Sequence, residues 1–161
     1  MTQYELNRRV WSDPNYFIAF GFGSGLASFA PGTWGTLAAF PVYLIIYDWP
    51  WWLYLSFVVV AFIVGVLVSD KVTRDLNMRD YKGIVWDEVV GFLLTMFFVP
   101  MSWKSIVLGF FLFRLFDIWK PEPIASVDNK LHGGLGVMLD DAMAAVPACL
   151  ILNVFAWGLF R

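Results

Sequence analysis

Apolar residues in this chain come in long runs, and the polar residues collect in the breaks between them. A helix that crosses a bilayer needs about 20 mainly apolar residues, with a working range near 17 to 25. The clearest run, "WPWWLYLSFVVVAFIVGVLVS", predicts a span over about 50–69. Residues 14–47 carry no charge but are too long for one helix, and the Gly- and Pro-rich "GFGSGLASFAPGTWG" divides them. That division predicts an interfacial or partly buried N-terminal segment over 1–32 and a first span over about 33–48. "IVWDEVVGFLLTMFFVP" predicts a third span over about 84–100, and "WKSIVLGFFLFRLFDIWK" a short fourth over 103–119. "DDAMAAVPACLILNVFAWGLF" predicts a fifth over 140–160. The expected fold is all-α, a polytopic membrane helical bundle of about five spans forming a single domain over 1–161.

Composition supports that reading. The 161 residues are 60% hydrophobic and 15% charged, against about 25% charged in a soluble domain. A soluble chain of this length would struggle to hide so much apolar surface. The net charge of −2 and the absence of a basic run point away from nucleic acid. Cys149 is the single cysteine, so no disulfide forms within the chain, and it reads as a small buried hydrophobe. Arg8 and Arg9 are followed by the polar "WSDPN", unlike the apolar stretch of a cleavable signal.

Charge then orients the bundle. Arg8 and Arg9 precede the first span, and Lys71, Arg74, Arg79 and Lys82 lie between the second and third. Lys120 and Lys130 lie between the fourth and fifth, whereas "DWPWW" and "PMSW" hold no basic residue. Basic loops favour the cytoplasm, so the N-terminus is expected there. Asp87 and Glu88 at the start of the third span, Asp117 at the end of the fourth, and Asp140 and Asp141 at the start of the fifth then meet at one cytoplasmic depth.

Ionisable groups in spans are costly and face a bundle interior or wet cavity. Converging carboxylates call for a cation, and hard oxygen ligands suit Mg²⁺, which can polarise a phosphoryl oxygen. The competing reading is a wet helix end favoured by its dipole. Arg114, Asp117 and Lys120 follow i, i+3 spacing on one face. Arg114, a turn deeper, suits holding an anion, while Lys120 could equally snorkel. His132 stands before "GGLG". There the backbone around Gly134 could present N–H groups to phosphate, or simply turn, and the histidine could act as an acid or stay solvated. Ser24, Ser28 and Thr33 add hydroxyls to the first Gly-rich stretch, which either lines a headgroup pocket or packs helices closely. Thr33, just before a cytoplasm-facing helix start, is the best contact of the three. A Cys-based phosphatase loop, DxDx(T/V), DGxxAR, PSGH, HExxH and a Walker A loop are all absent. A divalent-cation transporter would place its acids near the midplane. A non-enzymatic protein that binds anionic lipid would not need so many converging acids.

Four blocks in order, "GSGLASFAPGTWGTL", "VWDEVVG", "FRLFDIWKPEPI" and "GGLGVMLDDAMAA", resemble the phosphatidylglycerophosphatase A family over about residues 20–146. The resemblance implies a Mg²⁺-dependent, multi-pass enzyme of the bacterial inner membrane with its site facing the cytoplasm. It would hydrolyse phosphatidylglycerophosphate to phosphatidylglycerol and phosphate. Functional weight falls on Thr33, Asp87, Glu88, Arg114, Asp117, Lys120, Asp140 and Asp141. Metal would then be held by Asp87 with Asp140 or Asp141, and Glu88 would be a further ligand or a base beside it. Arg114 and Lys120 would balance charge during transfer. Water could attack directly or resolve a phosphorylated Asp117. Ser24, Thr33, His132 and Gly134 are the expected substrate contacts.

Overall fold

The computed structural model describes residues 2–78, 81–122 and 133–159. Among these the protein is all-α, with seven α-helices, one 3-10 turn and no strand. The N-terminal segment forms α1 (Gln3–Ser12) and α2 (Pro14–Ala19), followed by the 3-10 turn Ser24–Leu26. A capping box starts α1, in which Thr2 Oγ1 accepts from the Glu5 N–H and the Glu5 carboxylate accepts from the Thr2 N–H. Asp13 caps α2 by accepting from the Asn15 N–H at 2.9 Å. Then come α3 (Pro31–Ile46), α4 (Trp51–Leu76), α5 (Trp86–Thr95), α6 (Trp103–Trp119) and α7 (Gly134–Leu159).

The short α5 is the centre of the bundle and packs against α3, α4, α6 and α7. Val89, Val90, Gly91, Phe92, Leu93 and Thr95 are all buried on it. Gly91 lets the ring of Phe113 approach, since an added Cβ would lie 2.5 Å from it. Trp86 anchors the first turn of α5 by donating its indole N–H to the Ala61 carbonyl at 2.9 Å. Gly65 leaves room for that indole and for Met138 of α7. The Trp before the acids thus fixes where α5 begins.

Helix lengths correct the expectation of five spans. Among the described residues two helices, α4 and α7, are long and apolar enough to cross a membrane. The third expected span, 84–100, is helical for only ten residues. That is about 15 Å, half of a hydrocarbon core of about 30 Å. The helix stops because residues 96–100 turn away, with Phe98 at φ 62°. Irregular backbone at such depth requires partners from the protein, and neighbouring helices supply them. Leu93 O accepts from the Tyr54 hydroxyl at 2.6 Å, Phe97 O from Asn153 Nδ2 at 3.1 Å, and Phe98 O from Trp157 Nε1 at 3.1 Å. The other two, α3 and α6, have 16 and 17 residues, just under and at the lower limit of a full crossing.

The fifth element also starts earlier than expected, at Gly134 instead of Asp140. Two adjacent glycines allow it. Gly133 takes φ 77°, and a Cβ on Gly134 would collide with the Val66 carbonyl oxygen of α4. The paired aspartates therefore lie well inside a helix. Outside the core, Ile45, Val60, Ile63, Leu67, Phe111, Leu115, Leu150 and Val154 are exposed. Aliphatic and aromatic outer faces on four helices suit a lipid surround, because water would penalise a patch of that extent.

Candidate active site

Helix ends assemble the site. The starts of α3 and α5, the end of α6 and the first third of α7 enclose a cavity of about 620 Å³. Asp87, Glu88, Arg114, Asp117, Lys120, Asp140 and Asp141 all line it. Local rules explain the placement. Asp87 and Glu88 occupy the first turn of α5, where the helix dipole favours negative charge. Arg114 and Asp117 share a face one turn apart near the end of α6. Lys120 closes α6 in the left-handed conformation, φ 43°, a costly state for a side-chain-bearing residue. It turns its ammonium onto Asp140 Oδ2 at 2.6 Å.

The acids divide into two sets. Asp87, Glu88 and Asp141 each offer an oxygen within 4.8 Å of the others. Asp140 is instead ion-paired with Lys120, and Asp117 with Arg114 at 2.5 Å. Successive helical residues point about 100° apart, so α7 sends Asp141 toward α5 and Asp140 toward the end of α6. Both are largely buried, at 3% and 7% exposure. Asp87 Oδ1, Glu88 Oε2 and Asp141 Oδ2 are buried without a hydrogen-bond partner among the described residues. Charged carboxylates within 4.8 Å of one another repel by at least about 3 kcal/mol per pair at an effective dielectric of about 20. Orphaned hard oxygens, crowded and buried, fit a divalent cation of the Mg²⁺ type. Asp87, Glu88 and Asp141 could hold one.

Glu88 joins this trio to the cationic side, with Oε1 3.7 Å from Arg114 Nη1. Gly32 roofs the pair: a Cβ there would collide with Glu88 Oε1 and lie 3.2 Å from Arg114 Nη1. The glycine of "PGTWG" is thus a close-approach residue, a role the sequence alone left open between pocket and packing.

The remaining expected contacts fall elsewhere. Thr33, Ser24 and Gly134 lie outside the cavity lining, although Gly32, Gly133 and Gly136 belong to it. Ser24 donates to the Phe20 carbonyl at 3.5 Å, and Gly134 packs on α4 with its N–H toward Asp70. His132 lies outside the described residues. Of the three hydroxyls weighed for a headgroup pocket, Ser28 lines the cavity, and Tyr81, Lys82 and Gly136 line it without having been singled out as contacts. Gly136 was legible as the residue one turn before Asp140 on the same face. The loop position of Lys82 carried no comparable signal.

Comparison with known proteins bears on this geometry. The phosphatidylglycerophosphatase A family profile matches residues 17–156. A phosphatidylglycerophosphatase A of Escherichia coli is 40% identical over 91% of this chain and 86% of its own length. One from Haemophilus influenzae is 41% identical over 87% of both chains. A Bacteroides thetaiotaomicron protein, provisionally named a phosphatidylinositol-3-phosphatase, is 34% identical over 87% of this chain and 92% of its own. No solved structure matches the chain. The matched stretch contains every acid and base of the cavity, and the chain belongs to the phosphatidylglycerophosphatase A family of lipid phosphatases.

Proposed function

We propose that this protein hydrolyses the phosphomonoester of phosphatidylglycerophosphate to phosphatidylglycerol and phosphate. The reaction depends on Mg²⁺ and takes place at the cytoplasmic face of a bacterial inner membrane that the protein crosses several times. Family membership supports the substrate. The observation that carries the chemistry is the trio of Asp87, Glu88 and Asp141 beside Arg114 in one cavity. Bound by that trio, Mg²⁺ would offset the crowded carboxylates and polarise a phosphoryl oxygen.

The chain's own groups do the rest. Arg114, held between Asp117 and Glu88, presents its guanidinium from a fixed position, so little reordering is needed as charge builds on the phosphoryl oxygens. Lys120, set by its left-handed turn and by Asp140, adds a second cation at the same rim. Asp117 is engaged with Arg114 at 2.5 Å, which favours a positioning role for it over nucleophilic attack. Water then attacks phosphorus directly, the bond to the glycerol oxygen breaks, and that oxygen gains a proton. Deeper in the bundle the core closes around Phe92, Leu93 and Phe113, which gives no support to an ion path through the protein.

Orientation rests on charge. Arg8, Lys71, Arg74, Lys82 and Lys120 belong to the cavity end of the topology, and the tryptophan-rich connections to the other. Phosphate release by purified protein in detergent micelles containing phosphatidylglycerophosphate, with Mg²⁺ and after chelation, tests the reading. Release that requires Mg²⁺ is expected. Folded protein that releases no phosphate in either condition overturns it.

A further inference from the structure

A second cavity, about 700 Å³, adjoins the first and shares Ser28, Pro31, Tyr81 and Lys82 with it. It lies under α1 and the 3-10 turn and, among the described residues, has no acid in its lining; Lys82 is its sole charged group. The two chambers therefore differ in electrostatic character, and Lys82 stands at their junction. In the first chamber Arg114 and Lys120 are both ion-paired with carboxylates. Lys82 has no ion pair or hydrogen bond among the described residues.

Its backbone is nonetheless held firmly. Lys82 is the second residue of a turn closed by the Ile84 N–H donating to the Tyr81 carbonyl at 2.9 Å. The next residue, Val85, donates to the Ala19 carbonyl at 2.9 Å. Gly25 lies against the Gly83 carbonyl so closely that a Cβ would collide with it, and the Tyr81 ring packs on Phe20 at 5.8 Å. A firmly held turn thus presents an exposed ammonium, without a partner among the described residues, at the edge of the chamber that holds the carboxylate trio.

The proposed substrate has two anions, the terminal phosphomonoester and the phosphodiester that joins the glycerol to the lipid. With the monoester at the trio, the phosphodiester lies one glycerol unit away, and Lys82 is the cation of the same lining that stands toward the second chamber. We infer that Lys82 binds the phosphodiester of the headgroup at the junction of the two cavities and so selects lipids that carry a second phosphate. This rests on the functional reading above and adds a specificity residue to it.

Steady-state hydrolysis in mixed micelles by wild type, Lys82→Ala and Lys82→Arg tests the inference. Phosphatidate, which has a monoester but no phosphodiester, is added as a competing lipid. Loss of one charge-assisted contact is expected to raise KM for phosphatidylglycerophosphate about tenfold in Lys82→Ala, and Lys82→Arg should recover most of it. The inhibition constant of phosphatidate should shift less than about threefold, since its one phosphate does not reach this contact. Equal weakening of both lipids would place Lys82 at the reacting phosphate and overturn the inference, as would an unchanged KM or a pure fall in kcat. A wild-type enzyme inactive on phosphatidylglycerophosphate overturns the functional reading itself, and this inference with it.

Discussion

Asp140 and Asp141 are neighbours in sequence with different partners in space. Asp141 joins Asp87 and Glu88, while Asp140 is paired with Lys120. Their substitutions should therefore differ in kind. Asp141→Asn removes a proposed metal ligand and should lower kcat by at least about a hundredfold, with a higher Mg²⁺ requirement. Asp140→Asn, which leaves the trio intact, should cost roughly a tenth of that. Rates measured across a Mg²⁺ titration separate the two. Gly32 gives a second expectation at this scale. A methyl group there must displace Glu88 or Arg114, and a shift of about 1 Å can cost on the order of a hundredfold in rate. Gly32→Ala should therefore lose activity while its thermal unfolding in detergent stays close to wild type.

Among the elements, α5 breaks the pattern that its sequence sets. The apolar run 84–100 has the composition of a span, yet only ten residues are helical. The freed carbonyls of Leu93, Phe97 and Phe98 are met by Tyr54, Asn153 and Trp157, residues 39 to 59 positions away in the chain. Periodicity reports local preference and is blind to such distant donors. Tyr54→Phe deletes one donor to a buried carbonyl and should destabilise the protein by about 1 kcal/mol. Thermal unfolding in detergent measures this. Activity should follow stability in that variant, since Tyr54 is remote from the cavity lining.

For the whole molecule, the proposed metal site would link Mg²⁺ binding to folding. A ligand that binds only the folded state stabilises it by mass action, by about 2.7 kcal/mol at a hundred times its dissociation constant. Mg²⁺ should raise the melting temperature of the wild type but not of an Asp87→Asn, Asp141→Asn double variant, whose repulsion has already been relieved. Orientation can be checked in the same scaffold. In a Cys149→Ser background, Met78→Cys should react with an impermeant thiol reagent from the cytoplasmic side and Met101→Cys from the opposite side. The reverse pattern would invert the proposed topology.

The all-α class, the apolar bundle and the acids at helix starts and ends were legible in the sequence, because composition, run length and i, i+3 spacing are local quantities. The gathering of Asp87, Glu88, Arg114, Asp117, Lys120, Asp140 and Asp141 at one end of the bundle was also legible, since alternating short connections return successive helices to the same end, and all seven line one cavity. Their grouping did not. Which carboxylate of "DD" joins the trio depends on the rotation of α7 against α5, and that is decided by Gly65, Gly91, Gly133 and Gly134, where backbones and bulky side chains approach too closely for a Cβ. The length of α5, the roof at Gly32 and the junction at Lys82 likewise arise from contacts between distant segments. Only packing in three dimensions could decide them.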